Sequence, residues 1–200
     1  MSDMNESHKL KAQKRNEGYE KKQAKATQTK GLLIINTGAG KGKSTAAFGM
    51  VLRAIGHGMK VGIVQFIKGA MDTAERDVLS QFEQVEFHAI GDGFTWKTQD
   101  REKDVATAQS AWQVAKSLIE NPDIDMVVLD ELNIVLKYDY LDIEDVLATF
   151  QARHPMQHII VTGRHANDEL IEAADLVSEI RPIKHPFKSQ RVMAQKGIEF

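Results

Sequence analysis

The stretch TGAGKGKST, residues 37–45, decides how this chain is read. A glycine-rich turn ending in Gly-Lys-Ser has the form of a phosphate-binding loop, whose full pattern is G-x-x-x-x-G-K-[ST]. Here Thr37 stands where that pattern wants its first glycine, and Gly38 comes one residue late. Unless Thr37 serves as the first position, the loop is one residue short. A tighter loop surrounds fewer phosphate oxygens. The spacing therefore predicts a grip on the end of a triphosphate, with the ribose side left open to another reactant.

The flanks give the loop its context. LLIIN (Leu32 to Asn36) is apolar enough for a buried strand, and STAAFGMVLRAIGHG continues as a helix with Phe48, Val51, Leu52 and Ile55 on one stripe. Between a strand and a helix, the backbone N–H groups of Gly40 to Ser44 can point at one anion, reinforced by the helix N-terminus. Lys43 adds a point charge on phosphate oxygens, and the Ser44 hydroxyl suits Mg²⁺ (or Mn²⁺). The candidate nucleotide-binding set is therefore Gly38, Ala39, Gly40, Lys41, Gly42, Lys43, Ser44 and Thr45.

Farther along, KVGIVQF, VEFHAI, IDMVVLD, HIIVTG and LVSEI read as further strands. They alternate with helices over Asp100 to Glu120, Ile143 to Ala152 and Glu169 to Ala174. Val105, Ala108, Trp112, Ala115 and Ile119 form the stripe of the longest helix, so Trp112 is a core residue. The pattern predicts an α/β fold, a mostly parallel sheet covered by helices on both faces, of the RecA-like nucleotide-binding kind. The strand MVVLDEL ends in Asp130 and Glu131. With Ser44, these form the expected metal-binding set, and Glu131 is also the natural base for a water in a hydrolase.

Residues 1–30 differ in kind. They carry eight Lys or Arg against four Asp or Glu and almost nothing to bury, so they read first as a basic, flexible, solvated and partly helical arm, with ordering over a bound polyphosphate as the sharper alternative. Residues 31–200 are the nucleotide-binding domain. The whole chain has a net charge of -2, which gives no reason to expect nucleic-acid or membrane partners. It has no cysteine, which excludes disulfides and thiolate metal sites and suits a reducing, cytoplasmic setting.

RAIGHG, VQFIKG, GDGFTW, LDEL, TGR and SEIRPIKH surround the loop in this order. Together they closely resemble the P-loop family of ATP:corrinoid adenosyltransferases, which act on cob(I)alamin or cob(I)yrinic acid a,c-diamide. The resemblance spans about Gly31 to Phe200. It implies attack of a reduced Co(I) corrinoid on ribose C5′ of ATP with release of triphosphate, and a nucleotide bound reversed relative to other P-loop proteins. It further implies phosphate contacts from Arg53 and Arg164, a nucleotide contact from His185, and charge stabilisation by Lys43 with help from Lys41. Phe94 and Trp96 would fill the space under the corrin, and Glu131 joins the catalytic set. An electron donor such as a reduced flavoprotein and a homodimer are implied as well. Two positions depart from the family pattern: Ala39 stands where asparagine is common, and Ser44 where threonine is. The competing expectations are an ATP hydrolase using Glu131 and a non-catalytic nucleotide-dependent binding module. Products separate the three.

Overall fold

The computed structural model describes residues 2–67, 73–90 and 100–199. The chain divides into two units, 1–30 and 31–200.

The first unit is one helix, α1 (Ser2–Gln23), followed by an extended segment. Its apolar residues form no stripe, and residues 6–30 are all exposed. A helix polar on every side has no face to bury; the Glu17–Lys21 i,i+4 spacing and the last-turn Lys21 and Lys22 support it instead.

The second unit is built on six short strands: β1 (Leu33–Thr37), β2 (Val61–Gln65), β3 (Val85–Ala89), β4 (Met126–Asp130), β5 (His158–Thr162) and β6 (Leu176–Glu179). All pairings are parallel, in the order β3-β2-β4-β5-β1-β6. One strand, β5, separates the strand that enters the phosphate loop from the strand that ends in acids, which is the RecA-like arrangement. Because side chains alternate across a strand, each apolar run feeds two cores. Ile34, Ile63, Val128 and Ile160 pack under α2 (Lys43–Gly56) and α3 (Ala74–Leu79). Ile35, Val64, Val127, Leu129 and Val161 pack under α4 (Arg101–Glu120), α5 (Leu132–Lys137), α6 (Ile143–Ala152) and α7 (Asp168–Ala173). A short α8 (Pro186–Gln190) follows β6.

Trp112 lies in the second core at 3% exposure, edge-on to Phe150, and its indole N–H donates to Asp145 at 2.6 Å. One expectation needs correction. Leu52, placed on the buried stripe of α2, is 53% exposed, because it faces a cleft beside α3 instead of the sheet. The sheet is parallel with helices on both faces as expected, and the four residues of its edge strand β6 are exposed.

Candidate nucleotide site

In a parallel sheet all carboxyl ends share one edge. Here that edge carries a row of polar residues that end otherwise apolar strands: Gln65 on β2, Asp130 on β4, Thr162 on β5 and Asn36 on β1. All four are buried. Buried polar groups persist by finding hydrogen-bond partners. Asp130, with 0% exposure, accepts from Gln65 Nε2 at 2.8 Å on one oxygen and from Thr162 Oγ1 at 2.7 Å on the other. Thr162 Oγ1 in turn accepts the Glu131 N–H at 3.0 Å. Glu131 sits in the left-handed region with φ 67, a conformation that costs a non-glycine residue about 1–3 kcal/mol and collects at functional sites. At the other end of the row, Asn36 Nδ2 donates to Lys43 O at 3.4 Å, tying the sheet edge to the first residue of α2. With strands about 4.8 Å apart, two steps across the sheet put Asp130 about 10 Å from Asn36.

Between Thr37 and Lys43 the chain makes the phosphate loop. Its first part is clamped by the residue after β6: Gly40 N–H donates to Ile180 O at 2.7 Å, and Ile180 N–H to Thr37 O at 2.8 Å. Gly40 therefore has its N–H committed to Ile180 O, unlike the expectation that it would point at an anion. Gly42, with φ 106, is the N-cap of α2, whose first-turn N–H groups have no intrahelical acceptor. Lys43 is 8% exposed and its ammonium donates to Gly40 O at 2.6 Å, folded back over the loop's own carbonyl. Ser44 is half-buried, whereas Ala39 and Thr45 are exposed. Lys41 is exposed and paired with Glu199 at 2.6 Å.

The other predicted residues are dispersed. Arg53 is exposed in the last turn of α2, ten residues past Lys43, which is about 15 Å along the helix. The structure does not bring it to the loop. Arg164 is exposed on the turn after β5, one residue before His165 with φ 59. His185 is half-buried at the N-cap of α8. Phe94 and Trp96 lie outside the described residues. Gln65, Thr162, Asn36 and Ile180 were missed as site residues. For Gln65, Thr162 and Asn36 the available signal was a polar residue at the end of an apolar run; Ile180 carried none.

A second constellation flanks the same edge. Tyr140 donates to Asp104 at 3.4 Å, stacks on Tyr138 at 5.7 Å between centroids, and has the Arg101 guanidinium 5.8 Å from its ring centre. Burial, then the Asp104 charge, pushes the Tyr140 hydroxyl above its usual range.

The family model described as ATP:corrinoid adenosyltransferase BtuR/CobO/CobP matches residues 29–200. A corrinoid adenosyltransferase of Pseudomonas aeruginosa is 52% identical over 194 residues, covering 96% of this chain and 95% of the relative. One from Sinorhizobium sp is 50% identical and covers 96% and 91%. The corrinoid adenosyltransferase CobA of Salmonella typhimurium is 45% identical over 200 residues, the full length of both chains.

Proposed function

The chain belongs to the ATP:corrinoid adenosyltransferase family, and we propose from that premise how its own residues divide the work. The protein is an enzyme that transfers the adenosyl group of ATP to a corrinoid. The reduced cobalt of the corrinoid supplies the electron pair that bonds to ribose C5′, the C5′–O bond breaks, and triphosphate leaves with that bond's electrons. No protein nucleophile is needed. The protein's task is to hold a polyanion whose charge grows as it departs.

The observation that carries the assignment is the buried network of Gln65, Asp130 and Thr162, which fixes an acidic centre at the sheet edge where β1 opens into the phosphate loop. Phosphate oxygens replace Gly40 O as the acceptor of the Lys43 ammonium. The N–H groups from Lys41 onward and the α2 N-terminus meet the same charge. Grip at the γ-phosphate end leaves C5′ toward the acceptor. Arg164 and His185 stand on turns at the same sheet edge and are assigned to the outer phosphates and the nucleoside. Phe94 and Trp96 are assigned to the apolar side of the corrin, where they exclude water and a lower axial base.

The oxygen donors Ser44, Asp130 and Glu131 fit a hard divalent cation, Mg²⁺ or Mn²⁺. Among the described residues no group of three or more His, Cys, Asp or Glu is arranged to hold a metal by itself, so substrate phosphates complete the shell, as is usual for Mg²⁺. When bound, the cation neutralises charge on the departing phosphates. Asp130 and Glu131 would hold the cation beside Ser44, with the Asp130 carboxylate fixed in orientation by Gln65 and Thr162. The unit of action is a homodimer in a reducing cytoplasm, supplied with electrons by a reduced flavoprotein. Among the described residues no helix is long and apolar enough to cross a membrane.

An anaerobic assay with Co(I) corrinoid, ATP and Mg²⁺ tests the reading. A light-sensitive alkylcobalt product and stoichiometric triphosphate are expected. ADP with orthophosphate would assign the chain to ATP hydrolysis instead.

A further inference from the structure

We infer that the cleft between the start of α4 and the turns after α5 and β5 reads the corrinoid's peripheral side chains, and that it selects amides over carboxylates. The cleft holds about 460 Å³ and is lined by Arg101, Gln109, Asp139, Tyr140, Asp142 and Asn167, among others. That volume suits a few amide-tipped chains and not a whole macrocycle. The inference rests on the adenosyltransferase reading.

Position is the first argument. Asn167 follows Ala166, whose N–H donates to Thr37 Oγ1 at 3.2 Å, so the cleft's rim is one residue from a direct tie to the start of the phosphate loop. Ligands of open α/β sheets bind at this carboxyl edge. An acceptor attacked at C5′ must lie on the side of the nucleotide away from the gripped phosphates, against neighbouring turns of the same edge.

Chemistry is the second. Asn167 occupies the N-cap of α7, yet its side chain makes no capping bond. Asparagine is favoured at that position because it caps, so a carboxamide withheld from the task is available to something else. Among the described residues the Gln109 carboxamide likewise has no protein hydrogen bond. Each carboxamide offers two donors and an acceptor oxygen, the complement of a primary amide.

Charge is the third. Asp139 and Asp142 line the cleft, and Asp104 stands behind Tyr140. The lone guanidinium of the lining, Arg101, lies over the Tyr140 ring. An acceptor bearing free carboxylates meets an excess of like charge, whereas neutral amides do not. Asp142 is also fixed in place, accepting the Glu144 N–H at 3.0 Å.

The test compares kcat/KM for two reduced acceptors, cobinamide with its amidated periphery and cobyrinic acid a,c-diamide with carboxylates remaining, in the full-length enzyme with MgATP. Cobinamide is expected to be favoured roughly tenfold, the effect of a single poorly screened like charge. Asp139→Asn, a change the left-handed backbone there tolerates, should narrow the ratio toward unity without moving the KM for ATP. Asn167→Ala should raise the KM for cobinamide while the KM for ATP holds. Equal kcat/KM for the two acceptors in the unaltered enzyme, or a ratio indifferent to both substitutions, would overturn the inference and leave the adenosyltransferase reading standing. Absence of alkylcobalt product with either acceptor would instead overturn both.

Discussion

In the first half of the phosphate loop, a Cβ on Gly38 would stand 2.5 Å from Ile180 O, and one on Gly40 would stand 2.7 Å from the same oxygen. In the second half, Gly42 has a comparable left-handed φ of 106, yet nothing lies within 4 Å of where its Cβ would be. Both halves are glycine-rich for different reasons. The first needs glycine because another backbone passes against it. The second needs the left-handed angle and leaves open the space above it, where an anion can approach. The comparison also gives the exposed edge strand β6 a purpose. Its side chains contribute little burial, but it delivers Ile180 as the clamp that holds the loop's shape.

The difference can be tested by substitution. Lys43→Ala, in the open half, should lower kcat/KM by about 10²–10³, or roughly 3–4 kcal/mol of transition-state stabilisation, with far-UV circular dichroism unchanged. A loss below tenfold would mean that the ammonium does not meet the departing phosphates. Gly38→Ala, in the clamped half, should cost about 2–4 kcal/mol of stability in urea unfolding, since a collision with backbone adds to an unfavourable φ. Thr162→Val removes the hydroxyl between Asp130 and the Glu131 N–H. About 1–3 kcal/mol of destabilisation is expected, with a raised Mg²⁺ requirement read from activity against metal concentration. Gly42→Ala pays only for its angle, about 1–2 kcal/mol, and should act mainly on the KM for ATP. If Gly42→Ala proves as disruptive to the fold as Gly38→Ala, the two halves are not distinct.

The smallest effect lies far from the loop. Lys116, and then the Trp112 indole N–H, hold the Asp145 carboxyl below its usual range. A depressed carboxyl adds stability above the unfolded chain's carboxyl range, and that stability is lost as pH falls through the folded value. Asp145→Asn should therefore unfold slightly more easily than the unaltered protein at neutral pH. The two acid-titration curves should converge at low pH.

Much of this arrangement is legible in the chain itself. LLIIN, VGIVQ, MVVLD and HIIVT are runs too short and β-branched for helices, and each became a fully or nearly fully buried strand. The stripe of α4 and the place of Trp112 followed from helical spacing. The short α5 did not, because it begins directly after Glu131 without a capping side chain and reads as the end of the strand. Leu52 misled for a related reason: periodicity gives one face of a helix, but not how far the neighbouring sheet extends under it. The site divides in the same way. Lys43, Ser44, Asp130 and Glu131 are visible as a motif. Thr162 is visible only as a strand-ending polar residue until β5 is known to lie between β1 and β4.

The amino-acid string by itself determined the phosphate loop, the acidic strand end, the alternation of strands and helices, and the family, because each is written in local spacing and residue type. Only the tertiary structure decided that Ile180 takes the Gly40 N–H and that Thr162 joins Asp130 to Glu131. Those outcomes depend on strand order and register, which bring together residues more than thirty or a hundred positions apart, and no local pattern records such a pairing.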